Sequence, residues 1–287
     1  MMSTYLKLTL LLLFTFVTPL AVGRQAGREP YLSRPIGSGE AFIWYLHNSG
    51  WAIKTKNHLL IFDYIGEGHP APVKTLAGGL VNTDEIKHQR VVVFVTHEHA
   101  DHYSDQIFEW EKSVRDITYV FGWPVAKEGT YIKLSPGERR NVGALEVQTI
   151  KSTDQGVGFL VRVDGLTIFH AGDHARWDAR SQALYEQEID RIAQGAASLD
   201  LAFIPIATGL RCQPTESIAE GAYYAIEKLK PKAVFPMHIR CPDKLHLYRE
   251  FAETGAKKKA GAKIYFAEKP GDGFRYHSFS VRKLGTE

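Results

Sequence analysis

Cysteine and methionine are scarce in this chain of 287 residues, at two and three copies. Two cysteines exclude a disulfide-dense miniature scaffold, and a chain this long buries a substantial core without such staples. No long basic run is present, and 35 basic against 32 acidic residues leave a formal charge of +3. Nucleic-acid binding needs concentrated positive charge, so no nucleic-acid partner is expected. Internal repeats and low-complexity tracts are also missing, and residues 41–287 read as one domain. The 44% hydrophobic, 23% charged and 11% aromatic content rules out a disordered or collagen-like chain.

Long apolar runs are confined to the amino terminus. Lys7 supplies a positive flank, Leu8 to Val17 an apolar stretch, and Ala21-Val22-Gly23 a small-x-small cleavage site. The uncharged segment Leu8–Gly23 is 16 residues long, short of the roughly 20 that span a bilayer as a helix. Residues 1–23 are therefore expected to be a signal peptide on an exported, periplasmic or secreted protein, with an uncleaved anchor as the alternative. No stable membrane span is expected elsewhere. Residues 24–40 form a polar lead-in.

Short β-rich runs follow at Ala41–Leu46, Trp51–Lys54 and Leu59–Phe62. Val91–Val95 is an unbroken apolar run, the mark of a strand buried on both faces. A helix is expected at Asp101–Ser113, then strands at Ile117–Phe121, Thr130–Leu134, Leu145–Ile150, Gly158–Val163 and Leu166–His170. Helices are expected at Ser181–Gln194, Thr215–Leu229 and Asp243–Glu253, with strands Leu201–Ile206, Ala233–Met237 and Lys263–Phe266 between and after them. Ser217 and Glu220 have capping-box spacing near the start of the 215–229 helix. Two sheets packed between helical layers suit this pattern better than an alternating parallel sheet.

Histidine is what the chain has in quantity: twelve copies. Four potential ligands fall in six residues at the end of the Val91–Val95 strand, as His97-Glu98-His99-Ala100-Asp101-His102. In extended chain, residues two apart share a side, so His97, His99 and Asp101 project together and His102 joins from the following turn. Imidazole nitrogen and carboxylate oxygen suit zinc, manganese or iron. Glu98 falls on the other side of the alternation.

The run resembles the leading His-x-His-x-Asp-His motif of the metallo-β-lactamase fold superfamily. His170-Ala171-Gly172-Asp173 is similar to that family's strand-end Gly-Asp, and Phe235-Pro236-Met237-His238 to its closing histidine. His47-Asn48-Ser49-Gly50 and Ile61-Phe62-Asp63 match its opening strands, and the likeness covers about residues 41 to 270. The opening turn and compact length are most similar to the ascorbate-phosphate-lactonase-like and N-acyl-phosphatidylethanolamine-phospholipase-like branches. The resemblance implies a mixed α/β (α+β) chain folded as a single-domain αββα sandwich, with metals at one edge between the sheets. It implies two divalent ions, zinc with manganese or iron as alternatives. His97, His99 and Asp154 hold one ion, Asp101, His102 and His238 the other, with Asp173 between them. Asp154 enters because Lys151–Gly156 carries no histidine where family members place one. Such a pair would activate hydroxide against an ester, lactone, amide or phosphodiester bond, with Asp101 as the catalytic group orienting it. The implied substrate is a small or lipid-like molecule.

His47, His174 and Trp177 are candidates for the substrate cleft, His170 and Asp63 for supporting the metal loops, and His58, His69, His88, His246 and His277 for the surface. A non-catalytic metal-binding module is the main alternative function. An iron redox relative is disfavoured, because it would carry Glu where this chain has His99. Cys212 and Cys241 follow consecutive strands expected to lie close together, so a disulfide and free thiols are both open.

Overall fold

The computed structural model describes residues 31–66, 74–125, 131–195, 199–209, 211–258 and 262–285. The expected signal peptide, the first part of the lead-in and His69 lie outside the described residues.

The first half of the chain supplies strands β1 (Ala41–His47), β2 (Gly50–Lys54), β3 (Leu59–Phe62), β4 (Val91–Val95), β5 (Ile117–Phe121) and β6 (Ile132–Lys133). The second supplies β7 (Arg139–Val142), β8 (Leu145–Lys151), β9 (Val157–Val163), β10 (Leu166–His170), β11 (Leu201–Pro205), β12 (Ala233–Met237) and β13 (Lys263–Ile264). The chain then returns to the first sheet with β14 (Gly273–His277) and β15 (Ser280–Lys283). One sheet runs β15-β14-β1-β2-β3-β4-β5-β6 and the other β13-β12-β11-β10-β9-β8-β7.

Strand β4 shows why the sheets must be covered on both sides. Val92 and Phe94 enter the core between the sheets, while Val91, Val93 and Val95 enter a second core on the outer face. That outer core is closed by Ile86, at the end of helix α1 (Thr83–Ile86), and by Ile107, Phe108 and Trp110. Burying each such side chain contributes about 1.5–3 kcal/mol. The second sheet is covered by α2 (Gln182–Gly195), α3 (Glu216–Leu229) and α4 (His246–Lys257). The result is the expected αββα sandwich.

The differences from expectation are local. Residues 97–104 are not helical: His102 and Tyr103 both donate main-chain N–H groups to His99 O, at 2.9 and 3.0 Å, in a tight turn. A 3₁₀ helix follows at Asp105–Lys112, capped by Ser104. The run of expected ligands is irregular because converging side chains and a continuous helix cannot share it. Of the expected Thr130–Leu134 strand, Thr130 lies outside the described residues, and Ile132–Lys133 pair with β5. Helix α3 is capped by Thr215, whose hydroxyl accepts from Ile218 N at 3.2 Å, whereas Ser217 donates to Arg176 O instead. The expected Asp243–Glu253 helix divides into a 3₁₀ turn at Pro242–Lys244 and α4. The described end of the lead-in packs on the fold: Leu32 is buried, and the Tyr31 ring lies 5.0 Å from that of Phe42.

The β9–β10 hairpin turns through Asp164 (φ 49°) and Gly165 (φ 81°), the left-handed pair that suits a two-residue turn. Asp164 accepts from Thr55 Oγ1 at 2.6 Å and from Asn57 N at 2.9 Å, and meets His58 Nδ1 at 3.0 Å. His58 is buried in this lock between the two sheets, not on the surface as expected. The other end of the same strands carries the site.

Candidate metal centre

Thr96, the first residue beyond β4, organises the expected ligands. Its N–H and hydroxyl each donate to the buried Asp63 carboxylate at 2.8 Å. Asp63 Oδ2 also meets His102 Nδ1 at 2.7 Å. With its proton committed to Asp63, Thr96 Oγ1 accepts from His97 Nδ1 at 3.0 Å. Both imidazoles therefore keep Nε2 for another partner. His238 is fixed in the same sense by donating Nδ1–H to Ala207 O at 2.7 Å.

Asp173 faces all three. Its Oδ1 lies 2.9 Å from His102 Nε2 and 3.0 Å from His238 Nε2, and its Oδ2 lies 3.5 Å from His97 Nε2. His97 Nε2 is 3.0 Å from His99 Nδ1, which is 3.8 Å from Asp154 Oδ2. Asp101 Oδ2 stands 3.8 Å from His238 Nε2. Two groups result: His97, His99, Asp154 and Asp173, and Asp101, His102 and His238. Within each, the donor atoms lie within 4.8 Å of one another.

These residues fit a divalent-metal centre. Buried polar atoms are normally hydrogen-bonded, yet His102 Nε2, His238 Nε2 and Asp173 Oδ1 make no aligned hydrogen bond despite separations of 2.9 and 3.0 Å. Donors that converge without aligning on one another are what a cation between them accounts for. Gly209 leaves room at the same point, since a Cβ there would lie 2.9 Å from Asp101 Oδ2 and 3.0 Å from His238 Cε1.

Electrostatics agree. Burial alone would push the His102 pKa down, but the Asp173 and Asp63 carboxylates outweigh it and hold it well above the ordinary value. Burial likewise opposes ionisation of Asp173, and His102 and His238 overcome it, holding the carboxyl well below its usual range. The pocket thus keeps a carboxylate ionised in the interior and demands positive charge beside it.

Neighbouring turns set this geometry. Asn48 Nδ2 donates to Asp101 O at 2.8 Å, and Asn48 O accepts from His238 N at 3.2 Å. His170 stacks on Phe62 at 4.8 Å, donates Nε2–H to Ser49 O at 2.8 Å and accepts at Nδ1 from Gly172 N at 3.3 Å. It positions the Asp173 loop, as expected. Gly156 (φ 65°) and Gly172 (φ 55°) crowd Thr96: a Cβ at Gly156 would stand 2.0 Å from Thr96 O, and one at Gly172 2.8 Å from Thr96 Cβ. Only glycine allows both loops to approach the strand end so closely.

All seven expected ligands come together. Trp177 lines the adjoining cleft of about 570 Å³ with Thr208, Gly209, Arg211 and Gln213, and its ring lies 5.6 Å from that of His238. His47 and His174 do not line that cleft, which corrects their assignment to substrate. His47 is buried in the turn that closes β1. His174 is buried against Tyr185 at 4.7 Å, where burial pushes its pKa down to about 3. Sequence reading missed Thr96, the strut formed by Asn48, and Gly209 and Arg211. Thr96 adjoins a recognised motif and Asn48 lies within one, whereas the sequence at 208–213 carries no ligand-type signal except Cys212. That cysteine is bonded to Cys241, with Cα atoms 6.1 Å apart.

Residues 42–238 match the family model described as the beta-lactamase superfamily domain. A UPF0173 metal-dependent hydrolase of Symbiobacterium thermophilum is 27% identical over 232 residues, covering 75% of this chain and 94% of that protein. YtkL of Bacillus subtilis, also named a UPF0173 metal-dependent hydrolase, is 27% identical over 215 residues, covering 68% and 84%. Among solved structures, Igni18, a metallo hydrolase from Ignicoccus hospitalis, superposes with a TM-score of 0.58 at 20% identity, covering 83% of this chain and 99% of that one. The metallo-beta-lactamase fold protein YhfI from Bacillus subtilis gives 0.53 at 11% identity, covering 83% and 100%.

Proposed function

The chain belongs to the beta-lactamase superfamily domain family, and from that premise we propose a metal-dependent hydrolase whose seven converging side chains hold two divalent ions. Zinc is the first choice, with manganese or iron as alternatives given the oxygen-rich first group. The observation that carries the reading is the placement of Asp173, whose two carboxylate oxygens face different ligand groups. A bound divalent pair lowers the pKa of water and polarises the scissile group.

This chain's own residues supply the rest. Asp101 lines the cleft with its Oδ2 beside His238 Nε2, where it can orient an attacking water and take its proton. Asp154, also on the cleft wall, stands in for the histidine missing from 151–156. Trp177 offers an apolar wall and Arg211 a cation at the rim. An ester, lactone or phosphodiester of a small or lipid-like molecule suits that lining. Export by the amino-terminal segment is part of the same reading, supported by its flank, apolar stretch and cleavage pattern.

The test combines metal analysis with turnover on p-nitrophenyl esters, phosphodiesters, lactones and a cephalosporin. Metal-dependent turnover of one class supports the hydrolase. A tightly metallated protein that turns over none of them points to the binding module instead.

A further inference from the structure

We propose that a second pocket, remote from the metal centre, binds the phosphate group of an organic phosphate. The pocket, about 360 Å³, lies between the Tyr31–Arg34 segment and the β14–β15 hairpin, against Phe42 at the start of β1. The metal loops gather at the other end of that strand, beyond His47. Arg34, Arg275, Arg282 and Lys283 line the pocket, and no acidic side chain does.

Its charge is only partly compensated from outside. Glu40 pairs with Arg275 at 3.2 Å and with His277 at 2.8 Å, and Lys283 meets Asp272 at 3.0 Å and Glu268 at 3.2 Å. Arg34 and Arg282 are exposed and have no acidic partner among the described residues. Arg275 keeps a buried Nε–H without an acceptor. Gathering like charges in one hollow is unfavourable, and an anion bound among them relieves the repulsion. Three guanidinium forks match the several oxygens and double charge of a phosphate better than a lone carboxylate. The volume exceeds that of a bare anion, and the half-buried Tyr31 and Leu284 give an organic body an apolar wall.

Soluble phosphate esters and anionic phospholipid headgroups share this chemistry. The lipid source gains from Phe279, which is 64% exposed at the β14–β15 turn and the one large exposed hydrophobic among the described residues. There it can enter a bilayer interface beside the pocket.

Glycerol 3-phosphate is titrated calorimetrically, at about 0.15 M ionic strength to screen loose attraction, into metal-loaded wild type, Arg34→Gln/Arg282→Gln and Asp173→Ala. Vesicles of phosphatidylglycerol and of phosphatidylcholine are sedimented with wild type, the double variant and Phe279→Ser. The site requires binding of glycerol 3-phosphate or of phosphatidylglycerol vesicles that weakens about tenfold or more in the double variant and persists in Asp173→Ala. Vesicle binding that also falls in Phe279→Ser assigns the lipid source, and binding of glycerol 3-phosphate alone assigns the soluble one. No binding of either probe overturns the proposal. So does phosphate binding that survives in the double variant and vanishes in Asp173→Ala, since it belongs to the metal centre.

Discussion

At the scale of single residues, the candidate centre depends on converging histidines and carboxylates and on the groups that aim them. Asp154 is the proposed replacement ligand, and its Oδ2 lies 3.8 Å from His99 Nδ1. Asp154→Ala is expected to lose one ion per chain or to bind it far more weakly; unchanged stoichiometry and affinity in a metal titration would reduce Asp154 to a turn residue. Asp63 touches the ligands only through Thr96 and His102. Asp63→Asn should therefore lower metal affinity about 10–100-fold while all seven ligands remain. The candidate ligands are legible in the sequence because six belong to motifs with fixed spacing, and the seventh sits where a motif residue is missing. His47 and His174 were misread for a physical reason. A histidine beside a motif carries no sign of which way it points, and burial against Tyr185 settled His174.

At the scale of elements, the stretch after β11 walls the site with Thr208, Gly209, Arg211 and Gln213. It places Gly209 against Asp101 and His238 and is tied by the Cys212–Cys241 bond to the segment that follows His238. Gly209→Ala should weaken binding of the ion near His238 and depress turnover, with little change in the unfolding midpoint, because its Cβ intrudes on ligands and not on the apolar core. A normal metal titration for that variant would remove the steric argument. Cys212→Ser/Cys241→Ser opens a loop with a sequence separation of 29 residues, which should cost about 3–4 kcal/mol of stability on chain-entropy grounds, read by urea denaturation under non-reducing conditions. Strands such as β4 and β11 were readable because their side chains are buried throughout. The β7 strand was not, since Arg139, Arg140 and Asn141 are exposed and show no apolar alternation. The β14–β15 hairpin lies beyond the recognisable motifs, and its pairing with β1 is a long-range contact that local pattern does not carry.

At the scale of the whole molecule, two sheets are joined at one end by the converging histidines and carboxylates and at the other by the Asp164 lock. Burial alone would raise the Asp164 pKa, but hydrogen bonds from Thr55, His58 and Asn57 depress it to about 2. Because the folded pKa is depressed, the lock contributes stability above the unfolded carboxyl value near 3.9, and that contribution is lost as pH falls toward about 2. Asp164→Asn should be less stable than wild type at neutral pH, with the gap closing between about pH 4 and pH 2; a pH-independent gap would mean the carboxylate charge contributes nothing. The αββα layering was legible because it needs only apolar periodicity and element order, whereas this distal lock joins residues over a hundred positions apart. In the proposed function, Asp173 joins the two metal groups into one hydrolytic centre. The direct measurement is metal content and turnover of purified Asp173→Ala beside wild type, on whichever substrate class the wild type hydrolyses. A folded variant with reduced metal content and no turnover is the predicted result, and a variant that keeps its metal and near-normal turnover would contradict the account.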